Sequence, residues 1–400
     1  MHRPASIGIF SVVVGVACMS RAFALGTPVT ITPPLGLPQV SIPSSNPLTR
    51  EKIDLGRRLF MDARLSHNNT MSCAMCHVPE QGFTSHELGM SVGLEGRSLR
   101  RNAPTIMNVG YNLSFFHDGR EPFLEDQIWG PLLNNVEMDM PSVGYVVEKV
   151  RQLPEYTGLF ESAFGGPATA ERIGQALASW ERTMVSGNSR FDRWYYGGQK
   201  DALNPFEQTG FQIFMGKGRC ASCHLVGEKS ALFTDHKFHN TGIGWERSMF
   251  PERSNYKVQL APGVFVQVKG SMLKVFEPPQ GDLGRYEVTM DPKDRWAYKT
   301  PILRNVALTN PYMHDGSLAT LDDVVAFYDK GGIDNENKSP LLKPLNLSDS
   351  EKAALVAFLK TLTGDHVDDL VADARSAPVT LPGLKEDPMN TYMDRVLGHP

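Results

Sequence analysis

Cys73-Ala74-Met75-Cys76-His77 and Cys220-Ala221-Ser222-Cys223-His224 are two copies of one pattern, C-x-x-C-H. Two thiols at i and i+3 on a tight turn reach the two vinyl groups of a porphyrin, and the histidine that follows sits beneath the iron as proximal ligand. A thioredoxin-like dithiol, a zinc site or structural disulfides would draw on the same cysteines. Two complete copies, each with its histidine, favour two covalently bound haem c groups. The chain has five cysteines, and the fifth, Cys18, lies in a segment that reads as removable.

That segment opens with His2-Arg3, continues into the apolar run Ile7–Met19 and ends in Ala22-Phe23-Ala24. A basic start, a short apolar stretch and a small-x-small site are the marks of an export signal over residues 1–24, cleaved after Ala24. The apolar run is too short to cross a bilayer comfortably, and no other stretch approaches that length, so an integral membrane protein is not expected. Export agrees with the haem reading, because haem c is attached outside the cytoplasm. The 40 basic and 44 acidic residues leave a formal charge of −4, which excludes nucleic acid as an expected partner. Four hundred residues are enough for two domains with their own cores.

The repeat extends well beyond the cysteines. Gly56-Arg57-Arg58-Leu59-Phe60-Met61 precedes the first motif and Gly210-Phe211-Gln212-Ile213-Phe214-Met215 the second. Ala103-Pro104-Thr105-Ile106-Met107-Asn108-Val109 follows the first, and Thr300-Pro301-Ile302-Leu303-Arg304-Asn305-Val306 the second. Then Phe116-His117-Asp118-Gly119 matches Met313-His314-Asp315-Gly316, and Leu124-Glu125-Asp126 matches Leu321-Asp322-Asp323. The common order predicts two related haem domains, 47–205 and 206–365. Apolar residues at three-to-four spacing predict helices over Thr49–Met61, Val143–Gln152, Ala170–Val185, Thr320–Tyr328 and Ser348–Leu362, hence a mainly α fold. An alternating stretch around Pro262-Gly263 predicts a β-hairpin inside an insert at about 253–280 of the second half. Segments 26–46 and 366–400 are expected to be extended and to wrap the domains.

A haem held by one histidine has a sixth coordination site, and the repeat asks what fills it. Tyr328 lies 14 residues after His314, and Pro131 lies 14 after His117. Tyrosine can ligate iron through its phenolate, whereas proline cannot, so the second haem can be closed and the first open to small molecules such as peroxide. Helical spacing alone also allows Tyr328 to be a core aromatic.

Together the twin motifs, Arg101-Asn102-Ala103-Pro104-Thr105, Phe116-His117-Asp118-Gly119-Arg120 and the run from Thr300-Pro301 to Pro311-Tyr312-Met313-His314-Asp315-Gly316 resemble the bacterial dihaem cytochrome c peroxidase/MauG superfamily over about 47–365. The resemblance implies two cytochrome-c-like domains, a periplasmic location and a calcium ion between the haems. It assigns iron axial roles to His77, His224 and Tyr328, and a distal trio to Gln127, Pro131 and Glu137. Asn102, Thr309 and Pro311 would hold the calcium. Tyrosine at the second haem is the mark of the MauG-like branch, which includes members associated with methanobactin operons; many cytochrome c peroxidases have methionine there. Many also carry a switching histidine after Ser-x-Gly, where this chain has Ser91-Val92-Gly93-Leu94. His117 stands where the superfamily usually has a tryptophan between the haems, so Trp129 or Tyr111 is a candidate substitute for hole transfer. The implied activity is peroxide-driven formation of a high-valent dihaem state that oxidises an aromatic residue, Trp foremost, of a secreted partner protein. The alternative is a cytochrome c peroxidase fed by a small cytochrome or cupredoxin.

Overall fold

Each half is organised around one close helix crossing. The computed structural model describes residues 25–378 apart from 88, 250–254, 262–263, 270–271 and 273–280. The export signal expected at 1–24, parts of the insert and the last part of the tail lie outside the described residues. Helix α1 (Arg50–Met61) starts where the Thr49 hydroxyl accepts the Lys52 N–H, and it buries Ile53, Leu55, Leu59 and Phe60 on one stripe. Then come α2 (Leu124–Gln127), α3 (Trp129–Leu133), α4 (Val143–Gln152), α5 (Leu159–Phe164) and α6 (Ala170–Glu181), which crosses α1. The backbones approach closely because residue 56 is glycine: a Cβ there would lie 2.0 Å from the Ala176 carbonyl oxygen.

After α7 (Arg190–Tyr195) the plan repeats. Helix α8 (Pro205–Met215) leads through α9 (Ile243–Met249), α10 (Tyr286–Thr289) and α11 (Leu321–Asp329) to α12 (Asp349–Lys360), which crosses α8. A Cβ on Gly210 would again stand 2.0 Å from a carbonyl oxygen, that of Ala354. Helix α13 (Val367–Arg375) follows. The duplication reaches single hydrogen bonds. Asn108 and Asn305 both take φ of 61°, a left-handed conformation asparagine tolerates. Their side-chain oxygens accept the N–H of Ser186 (2.9 Å) and of Gly364 (2.8 Å), each just beyond the crossing helix.

The five helices expected from periodicity are present. The one expected over Ala170–Val185 ends at Glu181, where the Thr183 hydroxyl donates to the Trp180 carbonyl and the chain turns toward Asn108. The expected hairpin is the antiparallel pair β2 (Asn255–Ala261) and β3 (Val264–Lys269). A second pair, β1 (Phe238–Asn240) with β4 (Ala297–Lys299), places His239 opposite Tyr298. Its strands are three residues each, too short to show alternation.

Two main cores result. Phe191 and Leu203 pack into the second core, so the packing seam falls before Arg190 and not at 205. Ala374 and Ala377 join the first core, so the chain returns to the N-terminal half after completing the C-terminal one. No helix among the described residues is long and apolar enough to cross a membrane.

Candidate functional site

Both C-x-x-C-H motifs fold as single 3-10 turns, Cys73–Met75 and Cys220–Ser222. The N–H groups of His77 and His224 each reach the carbonyl of the first cysteine at 2.9 Å. Nδ1 of His77 lies 3.2 Å from the Phe83 carbonyl, and that of His224 lies 2.7 Å from the Phe233 carbonyl. Phe83 and Phe233 share a left-handed φ of 57°, which turns those carbonyls toward the rings. A carbonyl only accepts, so Nδ1 carries the proton and Nε2 keeps a free lone pair for a metal. Burial holds both imidazoles below their ordinary pKa and therefore neutral. None of the four cysteines is paired in a disulfide. Burial pushes Cys76 and Cys220 up to about 12 and Cys223 to about 11.

One cavity of about 1390 Å³ runs past both motifs, larger than the 300–1,000 Å³ of ordinary small-molecule sites. Nε2 of His314, in its wall, is buried without a hydrogen-bond partner. A buried polar nitrogen left alone is costly, so this part of the wall is suited to a polar edge of a bound group. Cavity size, paired thiols, oriented imidazoles and this orphaned nitrogen fit two haem groups. Among the described residues, the one cluster with metal-ligand spacing is Cys223, Asp235 and His239, which draws on a cysteine of the second motif.

In the first half Gln127 at the end of α2, Pro131 in α3 and Glu137 in the following loop line this cavity together with His77. Glu137 Oε1 accepts from Asn134 Nδ2 at 2.7 Å. Burial raises the Glu137 pKa, outweighing the opposing effects of that hydrogen bond and of Arg120. The loop is tightly backed: the Leu94 N–H donates to the Glu137 carbonyl at 2.9 Å, and a Cβ on Gly93 would lie 1.8 Å from the Val136 carbonyl oxygen. Leu94 itself is buried behind that loop. In the second half Tyr328 lines the same cavity from α11. Burial foremost, then the neighbouring Cys223 and Cys220, pushes its phenol above the ordinary range.

Where the halves meet, His117 Nε2 donates to the Asn102 carbonyl at 3.0 Å, and the His117 carbonyl accepts the Lys299 N–H at 2.7 Å. Burial, reinforced by Arg101 and His314, pushes His117 down to about 3, so its ring is neutral. Asn102 donates Nδ2 to the Gly89 carbonyl at 3.0 Å, which fixes its amide, and Asn102, Thr309 and Pro311 all line the cavity. Neither aromatic named as a substitute for the inter-haem tryptophan lines the cavity. Tyr111 is buried against Leu37 and Val40 with its hydroxyl on the Pro38 carbonyl, and Trp129 packs on the first core. The cavity wall holds Tyr298 instead, stacked on His314 with ring centroids 3.6 Å apart. Tyr298 carries no motif; the β1–β4 pairing brings it here. Glu181 is a second unforeseen wall residue, buried on α6 and raised by burial to about 8.

A duplicated helical fold with two such motifs on one cavity defines a dihaem c-type oxidoreductase. A model of the di-haem cytochrome c peroxidase family matches residues 50–201. Methylamine utilization protein MauG of Methylorubrum extorquens is 37% identical over 344 residues, covering 86% of this chain and 84% of that protein. Cytochrome-c peroxidase IdrP1 of Denitromonas iodatirespirans is 36% identical over 349 residues, 83% of this chain and 86% of that one. Among solved structures, a MauG-like protein associated with microbial copper homeostasis superposes with a TM-score of 0.68 at 31% identity, covering 86% of this chain and 98% of that one. The chain belongs to the dihaem cytochrome c peroxidase/MauG family.

Proposed function

We propose that this chain is a MauG-like oxidase that consumes hydrogen peroxide in its His77 half and oxidises an aromatic residue, foremost a tryptophan, of a partner protein. The observation that carries this reading is Tyr328: a phenol stands beside Cys220 and Cys223, while its counterpart in the first half is Pro131. An anionic oxygen ligand favours oxidised over reduced iron, which suits holding oxidising equivalents better than relaying electrons from a reduced donor.

When bound, the two haems supply the iron at which peroxide reacts and hold its oxidising equivalents. The protein's share is positional. Cys73, Cys76, Cys220 and Cys223 tether the groups, and His77 and His224 present Nε2. Pro131 offers no side-chain donor, and its carbonyl is taken by the Met138 N–H, so it leaves its side of the cavity clear. Gln127 orients the incoming peroxide by hydrogen bonding. Glu137 takes the proton from one peroxide oxygen and returns it to the other. Leu94 follows Ser91-Val92-Gly93, so no histidine at that position closes the first half and no prior reduction is required. Asn102, Thr309 and Pro311 are assigned a calcium ion, with waters completing its shell of hard oxygen ligands. Export to the periplasm, where haem c is attached, completes the reading.

The test is one equivalent of peroxide added to the haem-loaded diferric protein, followed by absorption. A prompt Soret change with a near-infrared band shared by the two haems is the expected result. Likeness to cytochrome-c peroxidase IdrP1 favours the second reading, a peroxidase fed by a small cytochrome or cupredoxin. That reading wins if nothing happens until the protein is reduced first.

A further inference from the structure

The duplication provides an internal comparison for Trp180, a residue the peroxide chemistry above does not use. Gly56 packs on the Ala176 carbonyl and Trp180 Cβ, as Gly210 packs on the Ala354 carbonyl and Phe358 Cβ. Trp180 and Phe358 are therefore equivalent, as are Phe60 and Phe214. The ring pairs are alike, with centroids 4.7 Å apart for Phe60–Trp180 and 5.2 Å for Phe214–Phe358. Phenylalanine thus satisfies the packing at this crossing. The first half uses an indole and gives its N–H a carboxylate: Nε1 donates to Asp373 Oδ2 at 2.9 Å.

That carboxylate comes from far along the chain. Asp373 sits on α13, which returns from beyond the second half, and Arg57 pairs with its other oxygen. Trp180 is fully buried, while the Asp373 side chain is 41% exposed. On the inner side the Phe60 ring centroid lies 6.1 Å from that of His77. His77, Phe60 and Trp180 form a continuous ring series from the iron-facing imidazole to a carboxylate at the surface. A buried indole gives up an electron with difficulty, because its cation is poorly solvated. A carboxylate on Nε1 stabilises that cation at low local dielectric and accepts its proton.

We propose that Trp180 is a redox relay through which electrons enter the first half from the α13 face. The proposal rests on the peroxide reading above. Hydrogen peroxide takes up two electrons and two protons as its O–O bond breaks and two waters form. Trp180 supplies one electron inward across Phe60 and His77 while its Nε1 proton shifts to Asp373. An external aromatic group then returns one electron, the proton moves back from Asp373 to Nε1, and the proton that the donor loses passes to solvent, from which peroxide draws its own two protons. Two such passages complete the balance, the donor being oxidised by two electrons in all.

The haem-loaded diferric protein is mixed with one equivalent of hydrogen peroxide and frozen within milliseconds for electron paramagnetic resonance. The Soret change is followed in parallel. The expected signal is an organic radical with indole couplings, lost in Trp180→Phe, a side chain the fold already accepts at Phe358. Asp373→Asn should shorten the radical's lifetime roughly tenfold, the worth of one charge-assisted hydrogen bond. Peroxide cycling without a donor should leave oxidised Trp180 detectable by peptide mass spectrometry. A radical unchanged in Trp180→Phe, or a normal Soret change with neither radical nor oxidised Trp180, overturns the relay alone. Absence of any Soret change overturns the peroxide reading and the relay with it.

Discussion

Glu137 occupies a wall where burial withholds water from its carboxylate, and its one hydrogen bond, from Asn134, does not make up the loss. Its pKa therefore lies above the ordinary glutamate value of about 4.3. To take a proton from peroxide the group must first be ionised. Peroxide turnover should therefore fall on acidification, with a midpoint above that ordinary value, and recover as pH rises through the raised pKa. Glu137→Gln should slow the reaction by about 10²–10⁴-fold, the usual contribution of a positioned acid–base group, and should abolish the acid limb. Stopped-flow rates of the Soret change between pH 4 and 8 check both. A residual limb would assign the titration to another group of the cavity wall, and a midpoint near 8 would point to Glu181, which burial raises to about that value.

At the scale of elements, Arg304 is the tie that binds one half together. It is fully buried and makes two bonds to Asp192 on α7, at 2.6 and 2.9 Å, and one each to the Gly36 and Ala231 carbonyls at 2.7 Å. Its counterpart in the repeat is Met107, which is buried in the first core. Arg304→Met keeps the volume but removes the guanidinium that pairs with buried Asp192, leaving that carboxylate only its hydrogen bonds from Ser189. A cost of about 3–5 kcal/mol is expected, the usual price of removing one partner of a buried pair, measurable as a lower denaturant midpoint. The helices that carry such ties were legible because three-to-four apolar spacing is a local signal, and the cysteine motifs because their spacing is itself the chemistry. Tyr298, Glu181 and the Trp180–Asp373 pair were not. Tyr298 reaches the cavity by pairing across 58 residues of chain, His239 to Tyr298 being the register. Glu181 and Trp180 sit within an amphipathic helix where nothing separates them from ordinary core residues until the opposing element is known. Tyr111 and Trp129 show the converse: their composition invited a role, yet neither lines the cavity.

For the whole molecule, the two halves are held by a charged seam centred on Arg101. Its guanidinium contacts Asp282 of the second half at 2.6 and 2.7 Å and Asp118 of the first at 2.6 Å, both carboxylates being buried. Burial alone would raise both carboxyl groups, but hydrogen bonds and charge from Arg101 outweigh it and hold Asp282 well below the ordinary range and Asp118 below it. The folded state therefore binds fewer protons at these sites than the unfolded chain does. The stabilisation is complete above the unfolded value of about 3.9 and drains away as pH falls toward the depressed folded values. The same seam positions His117, whose carbonyl accepts the Lys299 N–H, and Asn102, whose N–H donates to the His314 carbonyl at 2.7 Å. Acid should accordingly uncouple the halves before it unfolds either core. Asp282→Asn should weaken the seam already at neutral pH, by about 3 kcal/mol for a broken buried pair, and flatten the dependence of stability on pH below about 4. Small-angle scattering and thermal melts across pH 2–7 would register this as a domain-separation step that the variant shows at higher pH than the parent. A parent and variant with superimposable acid profiles would place the coupling of the halves elsewhere along the shared cavity.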